Sequence, residues 1–167
     1  MQRFGLYYGQ DWYVNLSSWQ KELVRTTLEL LSREERTQSS FTDYSFIIFP
    51  MAKAYEGFLK DFFYKVGLIS AQTYADKRFR IGKAINPDIN PTHRDEEWLY
   101  GGITQMCGQE LARSMWQTWL ECRNQVFHYF PGEEKRLSLG ETIHHIEMIA
   151  DTMNAATRCK MLEQTKK

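Results

Sequence analysis

The sequence predicts an all-α protein, an antiparallel helical bundle of four main helices. Three observations predict it. Apolar residues recur at spacings of three, four and seven over four long segments. Pro and Gly are few, 4 and 10 in 167 residues, which disfavours a turn-rich β-sandwich. The link after the third segment is short, which suits packed neighbours. One domain over residues 1–167 accommodates the chain, and 43% hydrophobic with 25% charged residues supplies a single core.

The first predicted helix runs from about Asp11 to Arg36, with Trp12, Leu16, Trp19, Leu23 and Leu30 as its inward stripe, broken at Thr27. A polar loop over 37–42 follows, with Asp43 placed to cap the next helix. The second runs from about Tyr44 to Val66. Ile47, Met51, Tyr55, Phe58, Phe62 and Val66 form its stripe, and Ile48, Ala52, Leu59 and Phe63 widen it. So broad a face predicts more than one neighbour, a second subunit included. Pro50 should kink this helix or mark its start, and Gly67 stops it. A short helix is expected near Ala71 to Phe79, then a turn-rich loop over Asn86 to Pro91.

The third helix spans about Glu96 to Phe130, with a candidate break at Gly101-Gly102 and a firm stop at Pro131-Gly132. Its inner stripe is Leu99, Ile103, Met106, Leu111, Met115, Trp119, Cys122 and Val126. The fourth runs from about Ser138 to Glu163, with Leu139, Ile143, Ile146, Ala150 and Met153 facing inward.

The formal net charge is zero, so the whole chain is not a cationic nucleic-acid binder, and contact with RNA would need a local patch or a grip only where the RNA is cut. Cys107, Cys122 and Cys159 fit no zinc spacing and read as small apolar residues of a reducing compartment. No apolar run near Met1 to Gly9 suggests a leader, and no stretch reaches the roughly 18 apolar residues of a membrane span. A cytoplasmic protein without membrane contact is expected.

The chemistry-bearing residues lie on the third helix. Gln105, Gln109, Arg113, Gln117, Glu121, Asn124 and His128 follow at spacings of four or three, a polar ridge opposite the apolar stripe. His128 therefore sits off the core face. Arg123 is five residues before it, roughly 140° away on an ideal helix. Convergence needs a swung side chain, a distorted helix end or a two-fold interface. Metal-free RNA cleavage uses the 2′-hydroxyl as internal nucleophile. It needs a group that exchanges protons near neutrality, which histidine supplies, and a permanent cation on the phosphate, which arginine supplies. An amide such as Asn124 orients one of them. Chance gives roughly 0.26 Arg-x4-His matches in a chain of this composition, and roughly 0.008 once Asn must follow the Arg.

Arg123-Asn124-Gln125-Val126-Phe127-His128 resembles the Arg-x4-His motif of the HEPN superfamily, with the polar residue that often follows the Arg. The order of helices is also similar. The resemblance implies a metal-independent endoribonuclease without cofactor, leaving a 2′,3′-cyclic phosphate and a 5′-hydroxyl. It also implies RNA as substrate, a homodimer with the two motifs meeting at its interface, and a toxin or phage-defence setting with an antitoxin partner. Arg123, Asn124 and His128 would be catalytic. Lys53 and Glu56, three apart in Lys53-Ala54-Tyr55-Glu56, look similar to a pair in RNase LS-type toxins and would support the site. Some relatives carry a modifiable Tyr two residues after the His. Here that position is Phe130, with Tyr129 one residue early, so Tyr129 would support the site without regulation by modification.

Blander readings stand beside these. Lys53 and Glu56 also suit an exposed ion pair. Lys77, Arg78, Arg80 and Lys83, with Phe79 among them, could hold phosphate and stack a base, but such a run is commonly a solvated segment. His144-His145 has no ligand partner and reads as helix surface, and no acidic cluster suggests a metal. The Trp and Met residues on the stripes read as core. The rival function is a non-catalytic HEPN helical interaction module, antitoxin-like or an adaptor.

Overall fold

The computed structural model describes residues 6–129, 131–132 and 134–159. Among them the chain is all-helical, with no strand. After a 3-10 turn over Leu6–Gly9 come α1 (Asp11–Val14), α2 (Ser18–Thr37), α3 (Ser45–Lys65), α4 (Ala71–Ala75) and α5 (Ile81–Ala84). A second 3-10 turn, Pro91–His93, precedes α6 (Tyr100–Cys107) and α7 (Gln109–Trp119). The chain then runs through a π turn, Leu120–Asn124, and a last α turn, Gln125–Phe127, before α8 (Leu139–Thr157).

Local signals fix the helix starts. Ser17 caps α2 and Ser138 caps α8, each in a reciprocal capping box, with Gln20 and Glu141 as third residue. Asp43 accepts from the Ser45 and Leu137 backbone N–H groups, so one carboxylate joins the start of α3 to the entry of α8. Pro50 lies within α3 and does not mark its start.

The central element is α3, which packs against α2, α8, α4, α5 and the π turn. Its broad apolar face, with Ile47, Ile48, Met51, Tyr55, Leu59, Phe62 and Phe63 buried, meets this need for several neighbours. The Tyr55 hydroxyl donates to the Met115 carbonyl at 3.1 Å, tying α3 to α7 inside the core, where burial pushes the phenol pKa well up. Thr152 shares hydroxyl bonds with Thr118 at 2.8 Å and Ser114 at 3.0 Å, tying α8 to α7. No helix among the described residues is long and apolar enough to cross a membrane.

Several expectations need correction. The first predicted helix is two helices, because Asn15 to Ser17 interrupts it. The break in the third falls at Gly108, whose φ of 94° suits glycine, and not at Gly101-Gly102, which lie inside α6. His145 is buried, not at the surface, because it shares a face of α8 with Ile149 and Thr152. Cys107 and Cys159 are not separate apolar residues. They form a disulfide, since the end of α6 and the residue beyond α8 bring their Cα atoms to 5.3 Å. Cys122 is the free buried thiol, pushed up to about 12 by burial. The fourth helix ends at Thr157, and its expected extension to Glu163 runs beyond the described residues, as does the position of Phe130.

Candidate functional site

Phe49, Ala52, Lys53 and Glu56 follow on α3 at i, i+3, i+4 and i+7, so they share one face of that helix. Arg123, Phe127 and His128 arrive opposite them from the end of the α7 segment. Together these seven residues line a cleft of about 410 Å³.

The π turn explains how Arg123 and His128 reach the same cleft. The Gln125 N–H donates to the Leu120 carbonyl, five residues back instead of four. Each residue in so wide a turn advances by less than the 100° of an α-helix, and the phase of everything beyond it changes. The helix then stops at Phe127, and His128 adopts extended backbone, φ −104° and ψ 137°. A regular helix would keep Arg123 and His128 roughly 140° apart. The wide turn and the extended His128 replace that geometry.

The turn is anchored from below. Cys122 is fully buried and its Sγ donates to the His145 carbonyl of α8 at 3.7 Å. The Phe127 ring meets Phe49 edge to face, centroids 5.3 Å apart. The Arg123 guanidinium lies over the Trp119 ring at 5.0 Å, and its Nη2 stands 3.4 Å from Glu56 Oε2. Trp119 is itself seated against α5. A Cβ at Gly82 would meet its indole nitrogen at 2.5 Å, so only glycine allows this approach. Lys53 extends its ammonium to 5.8 Å from the Trp19 ring centre.

Arg123, His128, Lys53 and Glu56 are thus brought together. Comparisons with protein-family models, with curated proteins and with solved structures find no match to this chain. The remaining site residues read from sequence are not in the cleft lining. Asn124 is half-buried within the π turn. Tyr129 is 81% exposed beside His128. Lys77 and Arg78 lie between α4 and α5, Arg80 stands at the N-cap position of α5, and Lys83 sits within it. Arg78 pairs with Asp76 at 3.5 Å and Lys83 pairs with Asp95. Phe79 is buried in the core, so this run offers no ring for a base to stack on. Among the described residues no group of three or more His, Cys, Asp or Glu is placed to hold a metal.

Sequence reasoning missed three lining aromatics. Phe49 and Phe127 form the apolar wall of the cleft, and Trp19 stands 62% exposed at the rim of a neighbouring hollow instead of in the core. The position of Phe49, one turn before Lys53 on an otherwise inward-facing helix, was the available signal.

The arrangement can do specific chemistry. Two cations, Arg123 and Lys53, and one carboxylate, Glu56, line the cleft with a histidine that is open to solvent, and Arg123 pairs with Glu56. A phosphate entering between the cations would meet the guanidinium edge and a proton-exchanging group on the same side.

Proposed function

We propose that this protein is a metal-independent endoribonuclease. The observation that carries the reading is the shared cleft of Arg123 and His128, five residues apart yet lining one wall through the π turn, opposite Lys53 and Glu56. In this reading the ribose 2′-hydroxyl loses its proton to a base and attacks the adjacent phosphorus. The P–O5′ bond breaks, and the departing 5′-oxygen takes up a proton. A 2′,3′-cyclic phosphate and a 5′-hydroxyl result. His128 serves as the acid or base. Arg123 and Lys53 hold the scissile phosphate and stabilise charge as it builds. Glu56 aligns the guanidinium. Asn124, next to Arg123 in the π turn, positions one of the two, Arg123 or His128.

The finer fold reading, an antiparallel HEPN-like four-helix bundle, belongs to this proposal, as does a role as toxin or defence effector with an antitoxin, whereas the Cys107–Cys159 disulfide does not fit the reducing, cytoplasmic compartment expected from the sequence. A homodimer fits as well. Phe41, Phe46 and Phe49 are each more than two-fifths exposed, and Phe49 continues into the cleft wall. A second copy covering them would bring the two clefts close.

One observation favours the rival reading, a non-catalytic helical interaction module: the Arg123–Glu56 pair already engages the cation. Expression in bacteria separates the two. The nuclease reading expects growth arrest with the wild type and normal growth with His128→Ala at equal protein level. Normal growth with both forms speaks for the module, and arrest that persists with His128→Ala contradicts the role given to His128.

A further inference from the structure

A second hollow of about 360 Å³ adjoins the cleft, and Lys53 and Glu56 line both. Trp19 of α2 and Tyr74 of α4 flank it, and α3 supplies its floor. We propose that it takes the base of the nucleotide next to the scissile phosphate and favours guanine. The proposal rests on the ribonuclease reading above for the identity of the neighbouring group.

Asp61 carries the argument. Its Oδ2 accepts from Gln20 Nε2 at 2.8 Å, and its Oδ1 accepts from the Tyr74 hydroxyl at 2.6 Å. The Gln20 amide is fixed in turn: it is buried, and its Oε1 accepts from the Ser17 N–H at 2.8 Å. The hydrogen bond to Asp61 pushes the Tyr74 phenol up, so it remains a donor through the neutral range. Both carboxylate oxygens are thereby oriented, and each keeps capacity for one further donor. Guanine alone among the four bases offers two adjacent donors, N1–H and the N2 amino group, on its Watson–Crick edge. Adenine and cytosine offer one amino group beside a ring acceptor, and uracil offers N3–H between two carbonyls.

The rest of the hollow suits a base. The exposed Trp19 indole gives a stacking face of the kind single-stranded RNA uses. Lys53 and Lys60 balance Glu56 and Asp61, so the hollow favours a neutral ring with donors over a cationic side chain. Gly57 keeps the floor open, because a Cβ there would meet Gln20 Nε2 at 2.8 Å and displace the amide that orients Asp61.

The test is calorimetric titration of the full chain at low salt with the four nucleoside 3′-monophosphates. Guanosine monophosphate should bind about tenfold or more tightly than the other three, on the scale of hydrogen bonds to a charged group. Asp61→Asn should abolish the preference, and Trp19→Ala, an exposed position, should weaken all four by about tenfold. Equal affinity for all four, no measurable binding, or a preference untouched by Asp61→Asn overturns the proposal. Cleavage is scored separately on an RNA pool. A nuclease that cuts without regard to guanine keeps its function and loses this subsite. Guanine-selective binding without cleavage keeps the subsite and removes the nuclease.

Discussion

Arg123 Nη2 stands 3.4 Å from Glu56 Oε2, across 67 residues of sequence, with its guanidinium also over Trp119. The pair is partly exposed, so it contributes little to folding, about 0–1 kcal/mol. Its consequence is electrostatic: Glu56 lowers the attraction of the cleft for phosphate while aiming the guanidinium. Glu56→Gln should therefore tighten binding of a short labelled RNA several-fold at low salt, shift the melting temperature little, and slow cleavage. Unchanged binding would show that Glu56 does not face the phosphate site.

The π turn should be needed for activity. Deleting Glu121 removes the extra residue and lets Leu120 to Phe127 regularise into an α-helix, so the wide-turn geometry that sets Arg123 against His128 is lost. Cleavage should fall by about two orders of magnitude while far-ultraviolet circular dichroism keeps the helical signal. Retained activity in the deletion variant would show that the turn does not set the site.

His145 links stability to pH. It is 7% exposed, and its Nδ1 has no hydrogen-bond partner among the described residues. Burial lowers its pKa below the ordinary 6.5, and the charges of Lys135 and His144 lower it further, against the opposing pull of Glu121 and Glu141. Well above pH 6.5 the imidazole is neutral folded and unfolded, and pH has little effect through it. Below 6.5 the unfolded chain takes up a proton that the folded chain resists, so stability falls with falling pH. Urea midpoints at pH 7.5 and 5.5 should show this loss, and His145→Leu should reduce it. An equal loss in the variant would place the pH dependence elsewhere.

The Cys107–Cys159 bond closes a separation of 52 residues, which in the chain-entropy account stabilises by about 4 kcal/mol. Thiol titration of the denatured, unreduced protein should find one free thiol, that of Cys122, and three after reduction. Reduction should lower the urea midpoint. Three thiols before reduction, from protein purified in air, would mean that the pair stands as dithiol.

Helices with an unbroken stripe were legible in sequence. Ser45–Lys65 departs by one residue at each end from its expected span, and the Ser138 capping box marks the start of α8. A helical phase counted through Asn15 to Ser17 puts Trp19 in the core, but one helix ends there and another begins. Once α2 starts at Ser18, the inward face becomes Gln20, Val24, Thr27, Leu28 and Leu31, and Trp19 turns outward. The motif Arg123 to His128 was visible as spacing, but its convergence was not, since an i to i−5 hydrogen bond leaves no mark in composition. Lys53 and Glu56 were visible as a pair, whereas their meeting with Arg123 is a long-range contact. Likewise, nothing local joins Gln20 to Asp61 or Cys107 to Cys159, each more than 40 residues apart.

The most direct test of the account is incubation of purified wild type, Arg123→Ala and His128→Ala with a mixed RNA pool in EDTA, followed by analysis of the product ends. The account predicts cleavage by wild type alone, with 2′,3′-cyclic phosphate and 5′-hydroxyl ends, while both variants stay folded. No cleavage by folded wild type, or full activity in either variant, would contradict it.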